Sequence, residues 1–294
     1  MKKNFRHIIR SWLLRHPYLN PHGFTLSRFF RTLTSPLRTL PDFILIGYTK
    51  SGSTALYDYL IQHPNITKSS RKEIHFFDIS YWRGSNWYRT YFPTFFNKFR
   101  DSRNLTGEAS GTYVFHPFAM ERIKQLIPNV KLIVTLRNPT ERAYSHYEDY
   151  RRGGNSVDEN YTFEETLNQE KERLYTYNKK FHNDEVHEED VKSLRIPYMY
   201  LGLYYEHLTK LFQIFPKNQI LILRSEDLQD NTQKTLDDVF DFLGVSKYPI
   251  PDLKKRKVGT YNDMKKETRI FLNNFYKPYN EKLEKLLNTK FNWN

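Results

Sequence analysis

The chain contains no cysteine, which removes disulfide bonds, thiol nucleophiles and zinc sites built on thiolates. It also lacks a long apolar run. Its hydrophobic stretches are strand-sized, too short to cross a bilayer, and the N-terminus has no continuous hydrophobic segment of the secretory kind. There is no internal repeat, no low-complexity linker, and no zinc, RRM, KH or helix-turn-helix signature. What remains is 294 residues, 38% of them hydrophobic, enough to bury the core of one α/β domain or one domain with a small appendage. A net charge of +13, from 46 basic and 33 acidic side chains, favours an anionic ligand: a polyphosphate nucleotide, nucleic acid or an acidic membrane surface. Tyr and Phe number 22 each, a supply of rings that suits a core or the C–H faces of sugars.

Residues 41–60, PDFILIGYTKSGSTALYDYL, carry the strongest signal. Phe43, Ile44, Leu45 and Ile46 make a short apolar run fit for an inner strand of a parallel sheet. Gly47 to Ser53 reads as a turn, and a helix beginning at Ser53 or Thr54 would bring free N–H groups and its positive end to one point, where an anion can sit. Gly47 and Gly52 approximate the spacing of a Walker A loop, but that loop needs Lys directly after its second Gly. Here Ser53 and Thr54 follow and the only Lys, Lys50, lies inside the loop, which argues against an ordinary ATPase.

Residues 131–152, KLIVTLRNPTERAYSHYEDYRR, form a second strand-turn-helix signal. Arg137 closes an apolar strand, at the end where open α/β sheets bind ligands, and Pro139 suits the first turn of the next helix. Ser145 lies two helical turns on and can offer a hydroxyl to the same anion. Between the two signals lies RKEIHFFD, residues 71–78. If residues 73–77 are extended, Glu73 and His75 share one face while Ile74 and Phe76 take the other, so a carboxylate stands beside an imidazole.

Lys50-Ser51-Gly52-Ser53-Thr54 after a hydrophobic strand resembles the 5′-phosphosulfate loop of sulfotransferases that use 3′-phosphoadenosine 5′-phosphosulfate (PAPS), and Arg137 with Ser145 resembles their 3′-phosphate site. RKEIHFFD resembles the Lys-Glu-x-His-Phe-Phe-Asp motif of heparan sulfate glucosaminyl 3-O-sulfotransferases, and its Glu-x-x-Phe-Phe core resembles the N-sulfotransferases. The resemblance covers residues 41–294 and implies a P-loop-like three-layer α/β fold with a central, mainly parallel sheet flanked by helices. It implies metal-independent sulfuryl transfer from PAPS to a hydroxyl of a carbohydrate or glycan, with an amine as the nearest variant. In those terms Glu73 is the base, Lys50 the partner of the leaving phosphate and His75 a positioning group. Ser51, Gly52, Ser53 and Thr54 bind the 5′-phosphosulfate, and Arg137 and Ser145 the 3′-phosphate. Tyr204, in LGLY, resembles a segment opening a helix near the nucleotide. Arg256, Lys257, Gly259, Thr260 and Tyr261 resemble a basic loop that closes over the 3′-phosphate. The same resemblance implies that Asp78 supports substrate and base and that Glu108 and Tyr113, in GEASGTY, fall along the substrate cleft. There Ala109 and Gly111 replace the family's Lys and Pro, which weighs against an acidic heparan acceptor.

Residues 1–40 read as a separate extension with eight Lys or Arg and no acid. Phe5, Ile8, Ile9, Trp12 and Leu13 make one apolar helical stripe, with Arg6 and Arg10 on another face. The helix either lies at a membrane interface or docks on the domain. The lack of cysteine and of a membrane anchor, unlike Golgi relatives, gives a cytoplasmic and bacterial expectation, with membrane association through residues 1–40 left open. Nucleic acid is not the expected partner. The competing readings are a P-loop kinase or nucleotide hydrolase, and a basic protein binding nucleic acid or a membrane surface. Residues 178–195 read as a polar loop. Residues 200–215 and 232–243 carry helical periodicity, 225–228 a turn after a strand, and 268–287 a helix interrupted at Pro278.

Overall fold

A computed structural model describes residues 26–96, 101, 104–152, 161–170, 172, 197–253 and 263–293. Five strands, β1 (Phe43–Gly47), β2 (Ile66–Lys68), β3 (Leu105–Ala109), β4 (Lys131–Leu136) and β5 (Ile220–Arg224), form one parallel sheet in the order β2-β3-β1-β4-β5. The expected α/β class holds. β2 adds three residues, Ile66, Thr67 and Lys68, too few to show a periodicity.

The layers follow from alternation along each strand. Ile44 and Ile46 of β1 and Leu132, Val134 and Leu136 of β4 pack on one side, against α4 (Ala119–Leu126), α6 (Tyr204–Ile214) and the C-terminal Phe291 and Trp293. Phe43, Leu45 and Ile133 face the other side, against α2 (Ser53–Leu60) and α8 (Thr232–Leu243). With both faces covered, every residue of β1 is buried, as its unbroken apolar run requires. A third cluster joins α5 (Pro139–Arg152), residues 163–170 and α9 (Lys266–Leu287) through Tyr144, Tyr147, Phe163, Leu272 and Tyr276.

Two expectations are corrected. Residues 225–228 do not form a simple turn but open a helix, α7 (Ser225–Asp230). α9 runs unbroken through Pro278; the ring removes one backbone donor, while Leu272, Tyr276, Asn280 and Leu283 stay buried along the same face and hold the helix together. Two further helices are α1 (Leu26–Leu33) and α3 (Gly84–Arg89).

The chain leaves β1 through α2 toward β2, on one side, and leaves β4 through α5 toward β5, on the other. Connections that diverge from adjacent strands open a crevice at their carboxyl ends, the usual ligand position in such sheets. Packing on the opposite side is tight: Gly107 of β3 pairs with Phe43 of β1, and a Cβ there would run into the Phe43 ring. Gly107→Ala should therefore destabilise the protein by about 1–3 kcal/mol, read from the denaturation midpoint, because the covered ring has nowhere to move. An unchanged midpoint would mean that the β1–β3 contact is loose.

Candidate active site

The turn after β1 is built for an anion. Gly52, at φ +86°, is the residue before α2, and no side chain caps the helix. The first N–H groups of α2 thus lack both an intrahelical acceptor and a cap. A Cβ on Gly52 would lie 3.3 Å from Ser225 Oγ, so the loop and the start of α7 are closely apposed. Ser51 is buried, Gly52 and Ser53 are half-buried and Thr54 is exposed. Lys50, also left-handed at φ +67°, carries its ammonium 2.9 Å from Asp149 Oδ1 on α5.

β4 ends beside this turn. Arg137 Nη1 donates to the Lys50 carbonyl at 3.2 Å, and the Tyr204 hydroxyl donates to the Arg137 carbonyl at 2.9 Å. Asn138 caps α5, its Oδ1 accepting from the N–H groups of Thr140 and Glu141. Ser145 lies on the buried side of α5. Tyr204, expected near the nucleotide, is fully buried and braces the backbone of Arg137.

The segment at residues 71–78 lies over the end of β3. It is not the regular extended strand expected, because His75 adopts φ +54° and a turn follows. The division of faces survives: Glu73 is exposed and His75 half-exposed, while Ile74 and Phe76 are buried. His75 Nδ1 lies 2.9 Å from Asp78 Oδ2, which also accepts from Thr112 Oγ1 at 2.6 Å; the Ile79 N–H donates to Oδ1. Burial alone would lower the His75 pKa, but the bonded Asp78 carboxylate, helped by Glu73 and Glu108, holds it above the usual imidazole value. Burial would raise Asp78, yet His75, Thr112 and the Ile79 N–H keep it below its usual value.

Glu108 and Tyr113, expected along the substrate cleft, are fully buried. Glu108 Oε1 accepts from Tyr88 and Tyr113 hydroxyls at 2.5 and 3.1 Å, and Oε2 from Ser110 at 2.8 Å. Burial pushes its carboxyl up to about 7 against those donors. The Tyr113 hydroxyl also accepts from the Phe76 N–H, and Ser110 Oγ from the His75 N–H. Both residues therefore act from beneath, fixing the backbone that presents Glu73 and His75.

The site includes residues that the motifs did not indicate. Tyr150 senses the charge of Glu73, and His146 that of Lys50. With Asp149 they occupy one face of α5, so a single helix borders both the lysine and the carboxylate. The i, i+3, i+4 spacing was the available signal. Ile79 and Trp82 stand exposed just beyond Asp78, with the Arg83 guanidinium 4.4 Å from the Trp82 ring. Arg256, Lys257, Gly259, Thr260 and Tyr261, residues 178–195 and the stripe at residues 5–13 lie outside the described residues.

Comparison with known proteins gives a family and a related fold. A family model described as "Sulfotransferase domain" matches residues 40–274. The chain is 29% identical over 319 residues to the membrane-associated sulfotransferase kil1 of Dictyostelium discoideum, covering 87% of this chain and 67% of that protein. It is also 29% identical over 277 residues to the bifunctional heparan sulfate N-deacetylase/N-sulfotransferase 2 of Homo sapiens, covering 84% of this chain but only 29% of that protein. Among solved structures, a sulfotransferase from Alicyclobacillus acidocaldarius superposes with a TM-score of 0.66 at 26% identity, over 87% of this chain and 99% of that one.

The His75–Asp78 pair makes stability depend on pH in a defined direction. A raised histidine value gives stability that is fully present below the unfolded value and is lost as pH rises through the folded one; a depressed carboxylate gives stability that is lost as pH falls. Asp78→Asn should thus cost most near about pH 5.5 and less near about pH 9, measured by urea unfolding at both. An equal cost at both would show that the pair contributes only neutral hydrogen bonds.

Proposed function

The chain belongs to the sulfotransferase domain family, and from that premise we propose that it transfers the sulfuryl group of PAPS to a hydroxyl of a carbohydrate or glycan acceptor. The observation that carries this reading is the uncapped start of α2 beside Arg137, with Lys50 held in the turn between them. Such a cradle suits a phosphate group. Absence of Lys after Gly52 counts against a kinase or nucleotide hydrolase.

PAPS supplies an activated sulfuryl group when bound. The backbone of Ser51, Gly52, Ser53 and Thr54 holds its 5′ end, and Arg137, Ser145 and the loop at residues 256–261 hold the 3′-phosphate. Lys50 exchanges Asp149 for the phosphate and offsets the negative charge that grows on the leaving oxygen. Glu73 removes the acceptor proton, and His75, oriented by Asp78, aligns base or substrate. Trp82 and Ile79 offer an apolar face beside these groups for a sugar ring. A carbohydrate acceptor is further supported by the relative named for heparan sulfate, and an amine acceptor is the nearest variant.

The catalytic unit in this reading is residues 41–294, preceded by a basic extension. The cysteine-free composition fits a cytoplasmic enzyme, and the eight basic residues among the first 40, with a relative named membrane-associated, support peripheral membrane contact.

Two measurements test the assignment. 3′-Phosphoadenosine 5′-phosphate without magnesium should raise the thermal midpoint more than ATP does, since a ligand of the native state stabilises it by mass action. Stronger, magnesium-dependent stabilisation by ATP would favour the kinase reading. Glu73→Gln should reduce transfer at least about 10²-fold with nucleotide affinity nearly unchanged, whereas Arg137→Ala should weaken nucleotide binding first. Near-normal transfer by Glu73→Gln would remove it as the base and leave His75 as the candidate.

A further inference from the structure

α1 is amphipathic in the reverse sense for a helix packed on a domain. Its basic side turns inward: Arg31 Nε donates to the Thr90 carbonyl at 2.6 Å, and Arg38, just beyond the helix, donates through Nη1 to the Phe92 carbonyl at 2.7 Å. Arg89 Nη1 returns a bond to the Arg38 carbonyl. The apolar side faces out, with Phe29, Phe30, Leu33 and Leu37 exposed by 45%, 53%, 69% and 44%. Phe96, 56% exposed, stands on a neighbouring segment tied in by the Phe95 N–H to Leu37 carbonyl bond. Five large apolar side chains thus sit on one surface whose scaffold is held by hydrogen bonds that do not involve them. A contiguous exposed apolar surface of this kind marks an interaction site.

Its position is also defined. Thr39 and Asp42 bond to the Pro93 and Thr106 backbone immediately before β1, so the surface belongs to the amino edge of the sheet. The crevice with Lys50 and Arg137 is at the carboxyl edge. The patch thus adjoins the chain's entry to β1, whereas the crevice lies where β1 and β4 end.

We propose that this face seats on an anionic membrane surface, with the active-site crevice directed away from the lipid. The proposal rests on the reading of residues 1–40 as membrane-contacting, and adds the contact face and the orientation. Phe and Leu side chains can enter the boundary between headgroups and acyl chains, while basic residues attract anionic headgroups, and stable peripheral binding needs two such signals. The first 40 residues supply the second, having eight Lys or Arg and no acid; five of those cations precede α1 in the chain, alongside Phe5, Ile8, Ile9, Trp12 and Leu13. A second copy is the poorer occupant, because two chains of net charge +13 repel.

The test uses the full chain and vesicles of phosphatidylcholine with or without phosphatidylserine. Because the chain has no native cysteine, Leu33→Cys or Asp149→Cys places an environment-sensitive dye on the α1 face or at the crevice beside Lys50. On phosphatidylserine vesicles the dye at position 33 should shift to the blue and the dye at 149 should not. Combined Phe29→Ser, Phe30→Ser and Leu33→Ser should weaken vesicle binding by roughly tenfold or more, with the thermal midpoint and secondary structure of the parent. Undiminished binding by that variant, lost instead on deletion of residues 1–25, would overturn the face while leaving membrane contact standing. No vesicle binding by the parent chain would overturn both. A blue-shifted dye at 33 without lipid would assign the face to another occupant: a second copy if the shift grows with protein concentration, or residues 1–25 if their deletion abolishes it.

Discussion

The site depends on how the chain ends β1 and β4 side by side and then turns it two ways. Thr135 Oγ1 of β4 donates to the Gly47 carbonyl at 3.0 Å, the Tyr48 N–H donates to the Thr135 carbonyl at 3.2 Å, and Arg137 reaches the Lys50 carbonyl. These bonds tie the turn after β1 to the neighbouring strand at the level where the two connections separate. Small residues make the approach feasible. A Cβ on Gly47 would meet Val114, and one on Gly111 would come within 3.0 Å of Thr49 Oγ1. A wider turn there would carry Lys50 away from Arg137.

Behind the crevice, buried carboxyl groups hold positions that loops alone would not. Glu108 gathers three hydroxyls, and two of them, Tyr113 and Ser110, also accept the N–H groups of Phe76 and His75. Glu170 accepts the N–H groups of Met199 and Tyr200, and burial lifts its carboxyl to about 7. Beside it, the fully buried Arg142 of α5 bonds the Tyr198 carbonyl. An ion beneath a helix and an acid beneath a loop are costly to bury, and each is offset by bonds to backbone that must stay in one place.

Much of this was readable beforehand where local rules act. The apolar runs of β1 and β4, Pro139 at the start of α5 and the small residues of the phosphate turn all signal their structures within a few positions. Longer-range dependence hid the rest. The left-handed His75 follows from its bonds to Ser110 and Asp78, not from the alternation of Glu73, Ile74 and Phe76. The motif that holds Glu108 and Tyr113 gives no sign of their complete burial. Their side chains turn inward from β3 and the following turn, where the Tyr88 hydroxyl from another segment joins Ser110 and Tyr113 in satisfying the acid. α9 defied the breaker rule at Pro278 because its packed face decides its course.

α5 is where these constraints meet the chemistry. Its buried face carries Ala143, Tyr144 and Tyr147 into the third cluster, which sets the rotation of the helix about its axis. That rotation delivers Asp149 to Lys50 and brings Tyr150 within electrostatic reach of Glu73. His146, fully buried on the same helix, is kept well below its usual value by burial and by the charges of Arg142 and Lys50, so it adds no cation to the crevice. A neutral imidazole there leaves Asp149 as the charge directly bonded to the lysine. The lysine is thereby held partly exposed at the mouth of the turn after β1, its charge matched by a surface carboxylate, so parting the pair strands no buried ion.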